Sequence, residues 1–307
     1  HNNVGVFFES KSLFTKAGIH TNYWKFFNLG NNQSLTELNL DGELALRNRQ
    51  FEVYNHSNFN ISGAQQEWFS YSRFTTMFSN FKINAKADFS SLLPEQFQRS
   101  YYGNHVFSSL TTLEKQFRSS ISSAINYTLK ETVFGVDIQS VALKNNYFFI
   151  SNSWRNDSIS DLNNFRIGAQ VKTGYKILKV SLKANYFIGS YVPDYLVQSR
   201  VLIQGRIFRT KKLLAQIGVE GSIHSGYDVM GYLPFLDAYQ FTSEGSVTTP
   251  QAINLHAFGG FEISQFRFFF RVENIGYVWN DVRTLQVVGY PIPAMNIRLG
   301  ISWDFFN

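Results

Sequence analysis

The sequence predicts an all-β fold, a transmembrane antiparallel up-and-down β-barrel of about 14–16 strands, and three observations predict it. Segments along the whole chain alternate apolar and polar residues. Many run roughly 9 to 14 residues, the length that crosses a bilayer at a tilt. The connections between them alternate between short and long.

The alternation begins clearly at residues 38 to 47, where Leu38, Leu40, Leu44 and Leu46 oppose Asn39, Asp41, Glu43 and Arg47. At 81 to 89, Phe81, Ile83, Ala85, Ala87 and Phe89 oppose Lys82, Asn84, Lys86 and Asp88. Residues 180 to 188 set Val180, Leu182, Ala184, Tyr186 and Ile188 against Ser181, Lys183 and Asn185. Residues 213 to 224 set Leu213, Ala215, Ile217, Val219 and Ile223 against Gln216, Glu220, Ser222 and His224. The last segment sets Ile297, Leu299, Ile301, Trp303 and Phe305 against Asn296, Arg298, Ser302 and Asp304. Successive strand side chains point to opposite faces, so each segment has one apolar and one polar face. A soluble sandwich shares that pattern, but its strands average about 5 or 6 residues.

Read from the C-terminus, long connections at 277–292, 227–249, 145–158 and 90–103 alternate with short ones at 264–265, 209–212, 175–179, 129–131 and 79–80. Medium connections are expected at 189–194 and 62–66, a short turn at 48–49 and a longer loop at 28–36. Short periplasmic turns alternating with long outer loops are the expected pattern of bacterial outer-membrane barrels. This gives about 14 strands from residue 13 onward and one more at residues 3 to 9. An odd count would leave an unpaired edge in lipid, at several kcal/mol per backbone group. Residues 1–307 are therefore expected to form a single barrel that lacks N-terminal residues of the full protein. The chain opens at His1-Asn2-Asn3 without the signal peptide an exported protein must have carried, which agrees with residues upstream.

Composition narrows the function. Hydrophobic residues make up 44% and charged ones only 16%, and the 31 Phe and 16 Tyr suit strands and interfacial girdles. Without cysteine there is no disulfide, thiolate metal site or thiol nucleophile. No stretch approaches the length of a membrane helix; even Phe266–Val272 is broken by Arg267 and Arg271.

Three stretches, Arg99-Ser100-Tyr101-Tyr102-Gly103-Asn104-His105, Leu143-Lys144-Asn145-Asn146-Tyr147-Phe148-Phe149 and Phe266-Arg267-Phe268-Phe269-Phe270, resemble in order and spacing the Putative porin family of Bacteroidetes. The resemblance covers roughly residues 85 to 307, while the segment 28 to 66 departs from it. The ending Gly289-Tyr290-Pro291-Ile292-Pro293 and Ile297 to Phe306 is similar to that of outer-membrane barrels from this phylum, TonB-dependent transporters included. The resemblance implies an outer-membrane pore in a Gram-negative cell and brings no catalytic or ligand residues.

The six histidines, His1, His20, His56, His105, His224 and His256, form no metal-binding motif and read as hydrated side chains. With no nucleophile elbow, phosphate loop or dinucleotide fingerprint, neither an enzyme nor a cofactor is expected. The candidate pore-lining residues are Lys82, Lys86, Arg166, Lys172, Lys183, Arg200, Arg206, Glu220, Glu262, Arg267, Arg271 and Arg298, with Asp88, Asp137, Glu273 and Asp304 as further acids. One reading is a hydrated wall of mixed charge; the other, given the net charge of +6, is a lumen biased toward anions. The basic residues are spread without a nucleic-acid motif. Tyr186, Phe266, Trp303 and Trp68 are girdle candidates. Bulky Phe187, Leu202, Phe208, Phe258 and Phe269 on polar faces would fill an interior. The aromatic loop of Tyr227, Tyr232, Phe235, Tyr239 and Phe241 suits a constriction, a cap or a docking site. Expected partners are outer-membrane lipid and lipopolysaccharide, small hydrophilic solutes and other envelope proteins. The rival functions are a structural or accessory barrel of a secretion or barrel-insertion machine and the barrel part of a TonB-dependent transporter.

Overall fold

A computed structural model describes all residues except 1, 29–30, 63–65, 95–99, 103–106, 110–113, 151–152, 156–160, 209–211, 234–237, 241–246, 279–283 and 305–307. The strands in chain order are β1 (Asn2–Glu9), β2 (Leu13–Asn28), β3 (Asn31–Arg47), β4 (Phe51–Asn60), β5 (Trp68–Phe78), β6 (Phe81–Leu92), β7 (Ser100–Tyr102), β8 (Phe107–Ser109), β9 (Gln116–Leu129) and β10 (Thr132–Lys144). They continue with β11 (Phe148–Ile150), β12 (Ser153–Arg155), β13 (Leu162–Tyr175), β14 (Leu178–Ile188), β15 (Tyr195–Ile207), β16 (Leu213–His224), β17 (Tyr227–Val229) and β18 (Gly231–Leu233). The last are β19 (Ala238–Gln240), β20 (Val247–Thr249), β21 (Ala252–Ile263), β22 (Phe266–Glu273), β23 (Leu285–Val287), β24 (Tyr290–Pro291) and β25 (Asn296–Trp303).

Fifteen of these form one sheet in strict chain order, β1-β2-β3-β4-β5-β6-β9-β10-β13-β14-β15-β16-β21-β22-β25. The other ten are short and pair among themselves inside the long connections. The expected 14 strands from residue 13 onward, and the extra one near residues 3 to 9, are all present. Contacts divide the chain into one unit of His1–Ile125 with Ile138–Phe165 and a second of Asn126–Asp137 with Arg166–Asn307.

The short turns follow from local chemistry. Asn48 closes the β3–β4 turn by accepting hydrogen bonds from the backbone N–H of Gln50 (2.7 Å) and Phe51 (2.8 Å). Ser79, Lys130, Lys176 and Ser264 begin the tight turns with φ between 51° and 53°, the left-handed conformation that reverses a strand within two residues. Two boundaries differ from expectation. Of the loop expected at 28–36, residue 28 and residues 31–36 are strand instead, with β2 and β3 paired out to Asn28 opposite Asn31, because ladder pairing needs only backbone groups and tolerates polar sequence. The turn expected at 175–179 shrinks to Lys176 and Ile177, so Lys179 belongs to β14. The expected turn residues Arg209 to Lys211 lie outside the described residues.

Burial is inverted relative to a water-soluble protein. Among the described residues only Leu93, Tyr147, Val229, Ala252 and Phe258 form the buried hydrophobic set. Large apolar side chains stand exposed along one face of the sheet: Ile217 at 58%, Ile253 at 61%, Leu299 at 69% and Ile301 at 68%. An apolar surface of that extent is suited to lipid and not to water.

Candidate functional site

The opposite face carries the chemistry, and register shows how it is laid out. In the second unit Ser181 pairs with Arg200, Arg200 with Glu220 and Glu220 with His256, one lateral row across four strands. The next row runs Lys179, Leu202, Gly218, Phe258, Arg271 and Arg298. A third contains Arg206, Leu214, Glu262, Arg267 and Ser302. Lys183 lies opposite Gln198, in line with Ser222 and Asn254. Ten of the candidate residues thus lie in this unit, Arg166 and Lys172 on β13 among them, while Lys82 and Lys86 lie on β6 of the first.

The charges are organised into chains. Arg271 bonds Glu220 and also reaches Glu273 at 3.1 Å, and Arg298 meets the other oxygen of Glu273 at 2.9 Å. Arg166 pairs with Asp137 at 2.5 Å and Arg267 with Glu262 at 3.1 Å. His256 is tied down differently: its Nδ1 accepts the backbone N–H of Asn274 at 3.0 Å. In the first unit, His56 bonds Asp41 at 2.7 Å, with Lys16 at 3.9 Å from the same carboxylate, and Arg73 bonds Glu52 at 2.8 Å. Among the described residues, no three His, Asp or Glu side chains converge to hold a metal ion.

Lys172, Lys183 and Arg200 differ from these pairs, since no ion pair engages them among the described residues. They line a hollow of about 440 Å³ with Gln170, Ser181, Gln198, Glu220, Ser222 and His256. A second hollow of about 450 Å³ meets it at Lys172, Ser181 and Arg200 and extends to Glu131 and Lys179.

Two bulky residues expected to fill the interior lie along the wall. Phe258 is only 8% exposed and crosses Gly218, where an added methyl carbon would fall 2.5 Å from the ring. The guanidinium of Arg200 stacks on that same ring at 4.7 Å. Phe269 crosses Gly300 in the same manner but stays 50% exposed. Sequence reasoning placed each residue on the correct face but missed the stack, because pairing an aromatic with a cross-strand glycine requires the register.

Girdle candidates sit on the apolar face. Phe266 and Trp303 meet edge to face at 6.2 Å beside the Ser264 turn, Tyr186 is 54% exposed at the other strand end, and Trp68 stacks with Phe59 at 6.3 Å. The aromatic loop is knitted to the following one. Tyr232 contacts Tyr239 and Tyr290, Val288 donates its N–H to the Met230 carbonyl at 3.0 Å, and Leu285 donates to the fully buried Thr249 hydroxyl at 3.0 Å. Phe235 and Phe241 lie outside the described residues.

Comparison with known proteins agrees with this geometry. A family model described as "Putative porin" matches residues 1–307. No curated protein matches the sequence. Among solved structures, the siderophore receptor PirA from Acinetobacter baumannii is similar with a TM-score of 0.68 at 12% identity, over 99% of this chain and 54% of that one. The FrpB iron transporter from Neisseria meningitidis gives 0.67 at 10% identity, over 98% and 55%. A mutant of the ferric enterobactin receptor from Pseudomonas aeruginosa gives 0.67 at 13% identity, over 98% and 53%. The chain thus spans about half the length of these structures. At such identity the likeness concerns fold, and the fold is that of outer-membrane β-barrels.

Proposed function

We propose that this chain, which belongs to the Putative porin family and to the Gram-negative outer membrane, forms the wall of a pore through which small hydrophilic solutes diffuse passively. One observation carries the proposal: in the second unit, β14, β15, β16, β21, β22 and β25 set an exposed apolar face against a face that carries the charges, amides and hydroxyls. The apolar face contacts lipid and the acyl chains of lipopolysaccharide, and the polar face lines the passage. Transport has no chemical step, so the polar residues act as a hydrated lining and not as acids, bases or nucleophiles. Phe258 and Phe269 lie along the wall over glycines, which leaves the space beside them to solvent.

Single-channel recording of the full-length native protein in planar bilayers tests the proposal. Stable open steps support it; silence from a folded, heat-modifiable barrel overturns it and favours a structural role within an envelope assembly. The likeness to an iron transporter and to siderophore receptors favours a second reading, the barrel part of a TonB-dependent transporter. A lumen-filling domain encoded upstream in the gene would favour that reading over the open pore.

A further inference from the structure

The polar face of the second unit is not uniform, and the inference rests on the pore reading above. Four of its arginines are already neutralised: Arg166 by Asp137, Arg267 by Glu262, Arg271 by Glu220 and Glu273, and Arg298 by Glu273. Lys172, Lys183 and Arg200 line one hollow, and among the described residues none of them meets a carboxylate. The carboxylate lining that hollow, Glu220, is engaged by Arg271, so its charge is already offset. Three uncompensated positive charges therefore face a shared space of about 440 Å³.

Arg200 is also held in place. Its guanidinium lies over the buried Phe258 ring, and that ring is seated on Gly218. Stacking fixes the plane of the guanidinium without consuming its N–H donors, which make no hydrogen bond among the described residues. A preset planar fork is the geometry that takes two oxygens of a phosphate or carboxylate at once. Ser181, the cross-strand partner of Arg200, and Gln198, the partner of Lys183, add hydroxyl and amide groups to the same hollow. These are hydrogen-bonding partners for a hydroxylated body attached to the anionic group.

We propose that Lys172, Lys183 and Arg200 form a binding subsite on the pore wall for small phosphorylated polyols, taking the phosphate on Arg200 and the two lysines and the hydroxyls on Ser181 and Gln198. The subsite concentrates such solutes within the passage and favours their translocation over neutral sugars of equal size. Inorganic phosphate, which shares the anionic group but lacks the polyol, binds more weakly.

The test uses full-length native protein in planar bilayers, with glucose 6-phosphate, inorganic phosphate and glucose added in turn while chloride current is recorded. Glucose 6-phosphate is expected to interrupt the current at concentrations roughly tenfold below those needed for glucose, with phosphate between them. The double variant K183Q/R200Q, shown to be folded by heat-modifiable migration, is expected to lose that preference. R200K, which keeps the charge but not the planar fork, is expected to lose part of it. Open steps with equal interruption by glucose and glucose 6-phosphate, or a preference unchanged in K183Q/R200Q, overturn the subsite and leave the pore intact. If no steps are seen the pore fails instead, and calorimetric titration of the detergent-solubilised protein with glucose 6-phosphate decides the subsite alone. Heat of binding that vanishes in K183Q/R200Q supports it, and no heat with the native protein overturns it.

Discussion

A methyl group added at Gly218 and one added at Gly300 should have costs in the reverse order of the clashes they create. At Gly300 the added carbon would fall 2.0 Å from Cζ of Phe269, with the next ring atoms at 2.4 and 2.7 Å. At Gly218 it would fall 2.5 Å from Cζ of Phe258 and 2.7 Å from the carbonyl oxygen of Val201. What decides the cost is whether the obstacle can leave. Phe269 is 50% exposed, and the three nearest atoms at Gly300 all belong to its ring, so a rotamer change into solvent relieves the clash for under about 1 kcal/mol. Phe258 is only 8% exposed, Arg200 covers it, and the Val201 oxygen is backbone of the neighbouring strand. Gly218→Ala should therefore cost about 1–3 kcal/mol, the usual range for overpacking a filled site. Urea unfolding of the barrel in lipid vesicles, followed by tryptophan fluorescence and gel mobility, measures both. In a Phe258→Leu background the ring component disappears and the Val201 component remains, so a double-mutant cycle should show coupling of about 1 kcal/mol. A Gly300→Ala variant as destabilised as Gly218→Ala, or a cycle without coupling, would refute the wall-lying arrangement of these rings.

Other outcomes follow from single contacts. Glu220→Gln should shift the reversal potential toward anion preference in a salt gradient, since Arg271 loses one of its two carboxylates; both partners are partly exposed, so stability should fall by no more than about 1 kcal/mol. Tyr147→Phe should raise hydrogen exchange at the Glu114 amide, whose N–H the buried Tyr147 hydroxyl accepts at 2.9 Å, with a local loss of about 1–2 kcal/mol. Burial also pushes the Tyr147 phenol upward, so its neutral form is favoured by the fold. That contribution is complete below the ordinary tyrosine pKa of about 10 and is lost as pH rises through the higher folded value, so the same amide should exchange faster, beyond the intrinsic base-catalysed increase, at strongly alkaline pH in native protein but not in Tyr147→Phe.

The fold was legible wherever both halves of the alternation are strong. Residues 81 to 89 carry apolar side chains at every second position, and 213 to 224 do so except at Gly221, and period two leaves no alternative face for them. The same pattern placed Arg200, Glu220, Arg271 and Arg298 together on the polar face. What it could not reveal is pairing between strands. That Glu220 belongs with Arg271 rather than Arg200, its direct cross-strand neighbour, depends on side chains reaching diagonally across rows. Lys179 was missed because a turn of two residues can be led by a non-glycine at positive φ, here Lys176 at 52°, without any sequence signal. The ends of β2 and β3 were missed because strand continues through Asn31 to Ser34, where composition reads as loop.

The least legible segment is β4, where Asn55 and Ser57 interrupt the apolar face between Val53 and Phe59. Register puts Asn55 opposite Ser72, and Ser57 opposite Ser70. The side chains satisfy one another: Asn55 donates to Ser72 Oγ at 2.9 Å and to the Tyr71 carbonyl at 3.3 Å, and the Ser57 and Ser70 hydroxyls meet at 2.9 Å. A polar group in hydrocarbon is costly only when its hydrogen bonds are unmet, so this cluster is compatible with a lipid-facing position despite its composition. The assignment can be tested by charge. Ser72 lies midway along β5, and Ser72→Arg should cost about 2–4 kcal/mol if its face meets the bilayer midplane, the penalty for a cation on the lipid side of a barrel. Asn84→Arg, on the opposite face of β6 beside Lys82 and Lys86, should be tolerated because that face is hydrated. Equal stability of the two variants in vesicle-based unfolding would place Ser72 against water or protein, and the apolar face of β4 and β5 would then be something other than a lipid-facing wall.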